Sequence, residues 1–168
     1  MLLYLGTTYP RIDAALMKYL FRLANMVVVA LSESPLHRLY SHQVIVLRFT
    51  GRRSGRGYAI PVSYLLCNDD GRQLIHCMTH VQGVWWKNLL DAGDIDVTWK
   101  GQRCRVSARV ETEDTGAIEQ ALDRFCRASI VSAFFSGVRM VKGVPDSHTL
   151  REAAAAHVLI QLRPYERS

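Results

Sequence analysis

One segment combines small, flexible residues with closely spaced positive charges. The seven residues Gly-Arg-Arg-Ser-Gly-Arg-Gly at 51–57 separate two apolar, β-branched runs. They are too small and too charged for a core, so they predict a tight hairpin with exposed backbone N–H groups at its tip. Such a tip suits an anionic oxygen, because Ser54 can donate and each guanidinium can form charge-assisted bonds worth roughly 1.5–3 kcal/mol. The three arginines are Arg52, Arg53 and Arg56. The alternative is a solvated turn whose basic residues oppose aggregation.

Composition indicates an ordinary globular protein with an anionic partner. The 168 residues are 49% apolar and 21% charged, which predicts one domain over 1–168 with a full hydrophobic core. The net charge of +6 favours a phosphorylated cofactor, a nucleic acid or a lipid headgroup. Outside the hairpin the basic residues are scattered, and no long basic face with interleaved aromatics is evident. We therefore expect no nucleic-acid partner.

The cysteines and histidines lack the spacing of a metal site. Four cysteines include no C-x-x-C pair, so neither a zinc site nor a dithiol motif is indicated. His76 and His80 are four residues apart, but on a strand-to-loop segment with no carboxylate at ligand spacing. His157 opens a strand and is predicted to be an edge or core histidine. We expect reduced thiols, no metal and a cytoplasmic location.

The hydrophobic pattern predicts a mainly β, α+β protein. Six strands, mostly in hairpins, with peripheral helices fit a small antiparallel barrel. Pro61 implies an edge position or a bulge in its strand. One long helix is predicted from Thr115 to about Phe135, and an amphipathic helix over about 10–31. The predicted strands are 44–50, 58–67, 73–79, 95–99, 103–110 and 157–163.

The apolar stripe of the N-terminal helix must be buried somewhere. It could pack on the barrel, pair with a second subunit, or lie on a membrane surface with Lys18 and Arg22 toward the headgroups. Asp13, in the first turn, opposes anionic lipid. We therefore expect packing on protein, with peripheral membrane contact as the alternative.

Four motifs together resemble the deazaflavin-dependent nitroreductase family. They are Thr50-Gly-Arg-Arg-Ser-Gly55, Pro61-Val-Ser-Tyr64, Trp85-Trp-Lys-Asn-Leu89 and Asp96-Val-Thr-Trp99. That family belongs to the split β-barrel flavin-binding superfamily, which also contains pyridoxamine-phosphate-oxidase-like proteins. The resemblance covers residues 44–110 and implies a six-stranded antiparallel split β-barrel with peripheral helices.

The resemblance also implies roles for individual residues. Arg53 and Ser54 fall where the family holds the cofactor phosphate. Tyr58 replaces a second basic residue of the family, for which Arg56 could substitute if it lies on the same strand face. The implied cofactor-binding residues are Arg52, Arg53, Ser54, Gly55, Arg56, Tyr58 and Pro61 around the hairpin, Thr79 and His80 at a strand end, and Trp85, Trp86 and Asn88 on a short helix that walls the pocket.

From this resemblance we expect an oxidoreductase that transfers a hydride to a small organic acceptor such as a nitro compound, quinone or enone. The implied cofactor is a deazaflavin coenzyme of the F-420 type, with flavin mononucleotide (FMN) as the alternative. Tyr64 or Ser63 is the candidate proton donor. A homodimer is expected, because superfamily barrels often complete the pocket between subunits. The alternative function is non-catalytic binding of FMN, haem or a lipid-like molecule on the same fold.

Overall fold

The computed structural model describes residues 43–69 and 71–165, and the predicted helix at 10–31 lies outside them. The strands are β1 (Val44–Thr50), β2 (Gly57–Asp69), β3 (Arg72–His80), β4 (Asp94–Trp99), β5 (Gln102–Glu111), β6 (Met140–Val141), β7 (Val144–Pro145) and β8 (His157–Pro164). The helices are α1 (Thr115–Ala128), α2 (Ile130–Ser136), α3 (Ser147–Ala155) and a 3-10 helix at Trp85–Leu89. No helix among these residues is long and apolar enough to cross a membrane.

Six strands form a closed antiparallel barrel in the order β1-β2-β3-β8-β5-β4. This confirms the predicted mainly β, α+β split barrel with peripheral helices. Alternate residues of each strand point inward and bury a core that includes Ile45, Leu47, Ile75, Val97 and Ile160, all with no accessible surface. The inward alternation explains why the period-two pattern predicted these strands correctly.

The barrel is split between β2 and β3. All of Gly57–Ser63 in β2 pairs with β1, but pairing between β2 and β3 begins only at Tyr64, opposite Cys77. The last residues of β3, from Met78 to His80, pair with β8 alone. The first half of β2 therefore has an unpaired edge that faces the end of β3.

Pro61 lies on this unpaired edge, as the sequence predicted for an edge position. The N–H of Tyr64 donates to the carbonyl of Gln43, on the β1 side, at 3.1 Å. Because backbone N–H groups alternate direction along a strand, the nitrogen of Pro61 points to the opposite, open side. A proline there removes an N–H that would have had no strand partner.

The helices cover the outside of the barrel at β8. Ile118, Leu122 and Cys126 of α1 pack with α3 and with Leu159 in a second core. The prediction of one continuous helix to Phe135 is wrong, because Ser129 adopts an extended conformation (φ −153°, ψ 118°) between α1 and α2. The Ser129 hydroxyl accepts the N–H of Ser132 at 3.3 Å, so this residue caps α2 rather than continuing α1.

One histidine of β3 is buried and has no hydrogen-bond partner among the described residues. His76 is 7% exposed, and in the described part of the chain neither of its ring nitrogens has a hydrogen bond. Burial, followed by the positive charge of Arg124, lowers the pKa of His76, whereas Asp69 raises it. Leaving such a polar group unsatisfied costs about 1–3 kcal/mol.

We predict that His76→Leu flattens the pH dependence of stability. The unfolded chain takes up a proton on His76 near its ordinary pKa, whereas the folded protein resists protonation to lower pH. Stability from this group is therefore full above the unfolded pKa and is lost as the pH falls toward the folded pKa. Urea unfolding between pH 7.5 and 5 should show a smaller loss for the variant. Its stability at pH 7.5 should rise by up to about 1–3 kcal/mol.

His148→Leu is the control, because His148 is exposed and its replacement leaves the core unchanged. An equal flattening in both variants would mean that burial of His76 is not the cause.

Candidate functional site

The hairpin tip, residues 51–56, is held by its own backbone and keeps two N–H groups available. Gly51 donates to the carbonyl of Arg56 at 2.8 Å, and Gly55, at φ +64°, donates to Gly51 at 2.8 Å. The Arg56 N–H donates to the Ser54 hydroxyl at 3.3 Å. Within the described residues, the N–H groups of Arg53 and Ser54 have no acceptor. Consecutive free N–H groups in a tight turn form a concavity that binds anions.

The 3-10 helix supports this tip from one side. The Arg52 N–H donates to Asn88 Oδ1 at 3.0 Å, and the Arg52 guanidinium pairs with Asp91 at 2.7 Å. The amide of Asn88 in turn donates to the carbonyl of Trp85 at 2.8 Å. Arg52 is thus committed to positioning the loop.

The other two tip arginines are exposed and have no ion-pair partner in the described part of the chain. Arg53 and Arg56 therefore remain available to an external anion. Because β2 begins at Gly57, Arg56 belongs to the loop and not to a strand face, so the predicted substitution of Arg56 for a basic residue at position 58 does not follow from strand geometry.

An aromatic stack connects the tip to the barrel. Tyr58 stacks on Phe49 with ring centroids 5.8 Å apart, and Phe49 stacks on Trp85 at 6.1 Å. The Tyr58 hydroxyl shares a hydrogen bond of 3.3 Å with the Ser54 hydroxyl, in which either can be the donor. The loop, the start of β2 and the 3-10 helix therefore form one connected wall.

A cavity of about 770 Å³ opens where the barrel is split. Its walls come from the free edge of β2, the end of β3 with the following loop, and the helices α1 and α2. The lining residues are Ile60, Pro61, Val62, Ser63, Met78, Thr79, His80, Gln82, Gly83, Trp85, Leu122, Phe125, Val131, Ser132, Phe135, Ser136 and His157.

The residues predicted from sequence divide between this cavity and its surroundings. Five of them line the cavity: Pro61, Ser63, Thr79, His80 and Trp85. Tyr64 is 5% exposed and lies in the barrel core, where its ring meets Trp99 edge to face. Trp86 is 6% exposed and lies in the same core, where its Nε1–H donates to the Val81 carbonyl. Neither lines the cavity. Tyr64 lies where the pairing of β2 with β3 begins, beyond the open edge, and successive residues of the 3-10 helix point in different directions.

The remaining predicted residues lie around the tip. Arg52 and Asn88 line a smaller cleft of about 340 Å³ that also contains Asp91, Asp94 and Arg105. Arg52 forms an ion pair with Asp91, and Arg105 forms one with Asp94 at 3.6 Å. These ion pairs compensate part of the charge in this cleft.

Sequence reasoning missed the position of His157 in the cavity wall. The strand register places it opposite His80, and the two rings meet edge to face with centroids 5.3 Å apart. Both histidines stand at strand ends in the sequence, but only the pairing of β3 with β8 brings them together. Burial lowers the pKa of His157 most, the Ala153 carbonyl raises it, and the charge of His80 lowers it.

The cysteine thiols do not contribute to this site. Burial raises the pKa of Cys77 far above its ordinary value, and burial together with Asp123 raises that of Cys126 to about 11. Neither thiol forms the thiolate needed for nucleophilic chemistry at neutral pH.

Comparison with known proteins places the fold. No protein-family model and no curated protein sequence matches this chain. It superposes on the crystal structure of a pyridoxamine 5'-phosphate oxidase-related, FMN-binding protein from Nostoc punctiforme PCC 73102 with a TM-score of 0.52 and 11% identity, covering 86% of this chain and 80% of that one. HutZ, the haem storage protein of Vibrio cholerae, matches with a TM-score of 0.47 and 11% identity, covering 80% and 92%.

The likeness to the Nostoc protein at this identity establishes the fold class. The chain shares a split β-barrel fold with that protein.

We predict that Gly51→Ala disturbs the hairpin tip. A Cβ atom at this position would lie 2.6 Å from both the Ser54 hydroxyl and the Tyr58 ring. The ring must then move away from Phe49, which should lower the melting temperature and weaken the near-UV circular dichroism of the aromatic stack. Gly57→Ala is the matched control, because a Cβ there meets no atom within 4 Å. Equal spectra for the wild type and Gly51→Ala would contradict the role given to this contact.

Proposed function

We propose that this protein binds a phosphorylated flavin-type cofactor and transfers a hydride to a small organic acceptor. The observation that carries this proposal is the continuity between an anion-binding tip and a ring-sized cavity. The two free N–H groups and the unpaired guanidinium groups of Arg53 and Arg56 lie at one end of β2. The aromatic stack then leads from the tip to Trp85 in the cavity wall.

The tip suits a phosphate in charge and in geometry. Phosphate oxygens accept several hydrogen bonds at once, and the N–H groups of Arg53 and Ser54 are adjacent donors. Arg53 and Arg56 add positive charge without having to break an internal ion pair. The ties of Arg52 to Asn88 and Asp91 hold the loop in place before the ligand arrives, which reduces the entropy lost on binding.

The cavity suits the ring system. Its volume of about 770 Å³ falls within the range of about 300–1,000 Å³ typical of small-molecule sites. Its lining combines apolar walls from Ile60, Trp85 and Phe125 with hydroxyl and imidazole groups on one side. A flat heteroaromatic ring with polar edges matches this division.

When bound, the cofactor supplies the hydride chemistry. The protein holds the phosphate, positions the ring against Trp85 and limits the access of water. Ser63 is the predicted proton-donor candidate that lines the cavity. Tyr64 is left out of this role, because its side chain lies in the barrel core.

Two cofactors are consistent with this proposal. FMN is supported by the fold shared with the FMN-binding Nostoc protein. A deazaflavin of the F-420 type is supported by the sequence motifs alone. The finer assignment to the deazaflavin-dependent nitroreductases, with nitro compounds, quinones or enones as acceptors, rests on the same motifs.

A second candidate is non-catalytic binding of FMN, haem or a lipid-like molecule. The observation that favours it is α2, where Ile130 and Phe134 are 74% and 67% exposed and Val131 and Phe135 line the cavity mouth. Such an apolar rim also suits a lipophilic ligand. Anaerobic mixing of the reduced, cofactor-loaded protein with menadione or a nitroimidazole decides between hydride transfer and non-catalytic binding. A non-catalytic binder does not oxidise the cofactor faster than the acceptor does without protein.

We predict that Arg53→Ala weakens FMN binding about ten- to hundredfold, with a smaller effect in high salt, because one charge-assisted bond of roughly 1.5–3 kcal/mol is lost. Fluorescence titration should show no comparable change for riboflavin, which has the same ring and no phosphate. Arg56→Ala should behave in the same way. The same titration with the deazaflavin coenzyme determines which ring is preferred.

Arg72→Ala is the charge-matched control, because Arg72 is exposed and lies opposite Asp69 in the strand register, at the end of β2 that is far from the tip. Equal weakening by Arg72→Ala, or equal affinity of wild type and Arg53→Ala for FMN and for the deazaflavin coenzyme, would remove the phosphate site. The homodimer and the cytoplasmic location stay predictions; light scattering of the purified protein measures the former.

A further inference from the structure

Two histidines lie opposite each other in the cavity wall. His80 ends β3, His157 begins β8, and the strand register sets them opposite each other. Their ring centroids are 5.3 Å apart with an interplanar angle of 68°. No other side chain that lines the cavity is titratable among the described residues. The pair is therefore the only acid–base feature of this surface.

Hydrogen bonds to the protein determine where each neutral ring carries its proton. His157 Nδ1 lies 2.7 Å from the Ala153 carbonyl, which can only accept, so Nδ1–H donates. His80 Nδ1 accepts the N–H of Gln82 at 3.2 Å, so that nitrogen carries no proton. When both rings are neutral, Nε2 of His80 is consequently a donor and Nε2 of His157 is an acceptor.

Neither Nε2 atom has a hydrogen-bond partner within the described residues, although His157 is only 8% exposed. The Nε2 atom of His157 is not among the fully enclosed polar atoms, so it is the part of this ring that a ligand or a water molecule can reach. The cavity is where such a partner can reach it.

We infer that the His80–His157 pair recognises a cyclic amide or imide edge, with His80 donating to a ring carbonyl and His157 accepting the adjacent ring N–H. This inference rests on the proposed function, because flavins and deazaflavins carry a C(=O)–NH–C(=O) edge on the ring portion that the cavity would hold. A purely hydrocarbon ligand leaves both histidines unpaired, and a ligand with only acceptors on this edge leaves His157 unpaired. The pair thus determines which class of ring binds and how that ring is oriented in the cavity.

Acidification tests the same assignment. Protonation of His157 turns its Nε2 into a donor, so the pair presents two donors and no longer matches an imide. The side chains that line the cavity around the pair from β2, α1, α2 and the loop after β3 are apolar, hydroxyl or amide groups, and α3 contacts His157 through the Ala153 carbonyl. Because burial lowers the pKa of His157, imide binding should weaken only below the ordinary histidine range. The measure is a ratio of affinities for two ligands with the same phosphate, because the phosphate itself takes up a proton at about pH 6.

The experiment compares FMN with 3-methyl-FMN, in which the imide N–H is replaced by a methyl group. Wild-type protein at pH 7.5 should bind FMN about ten- to hundredfold more tightly. The ratio should fall toward one in His157→Phe and in His80→Phe, and it should persist in His148→Phe. As the pH falls below the ordinary range of histidine, the wild-type ratio should also shrink. The comparison of ligands on wild-type protein needs no variant, so it remains informative if His157→Phe does not fold.

Lumichrome, which carries the imide edge but no phosphate, separates this inference from the proposed function. Binding of lumichrome that depends on both histidines, without phosphate-dependent binding of FMN, supports the recognition pair and removes the phosphate site. Tight FMN binding that depends on Arg53 but does not distinguish 3-methyl-FMN overturns the histidine assignment and leaves the phosphate site intact. Failure of lumichrome, FMN and the deazaflavin coenzyme to bind overturns both.

Discussion

The incomplete pairing of β2 is the constraint on which the rest of the structure depends. A strand of thirteen residues hydrogen-bonds to β1 along its first half and to β3 along its second, with no overlap beyond the change at Tyr64. The barrel still closes, because β1 also pairs with β4. The gap between the first half of β2 and the end of β3 becomes the cavity, and Pro61 keeps an unsatisfied N–H away from that gap.

The same strand also couples the two parts of the candidate site. The tip directly precedes β2, and the stacked rings of Tyr58, Phe49 and Trp85 connect it to the cavity wall. The hydrogen bonds of Asn88 close this arrangement from the other side, since it contacts both the Arg52 backbone and the Trp85 carbonyl. Two residues that are 36 positions apart in the sequence, Arg52 and Asn88, thus hold the tip together.

Local patterns predicted most of this fold, and long-range register accounts for what they did not predict. The alternation in β1–β5 and β8, and the turn chemistry of 51–57, are visible in sequence because they depend on neighbouring residues. The break at Ser129 was missed, since its apolar neighbours continue a helical period while its hydroxyl caps a new helix. Tyr64 and His157 depend on which face of a strand meets which partner, and a single sequence does not specify that pairing.

Charge is distributed unequally between the tip and the cavity, and this limits what the site can hold. Among the described residues, the cavity lining has no carboxylate, ammonium or guanidinium group, whereas the adjacent tip carries two unpaired arginines. A ligand that satisfies both parts must be anionic at one end and neutral at the other, because a charge inside the cavity would be desolvated without a counter-ion. We therefore still expect, as from the sequence, that a polynucleotide, which is charged along its whole length, does not bind here. A phosphorylated heteroaromatic molecule, the class of ligand we propose, meets this requirement. Under the same proposal, an acceptor that approaches past Val131 and Phe135 is expected to be neutral and largely apolar.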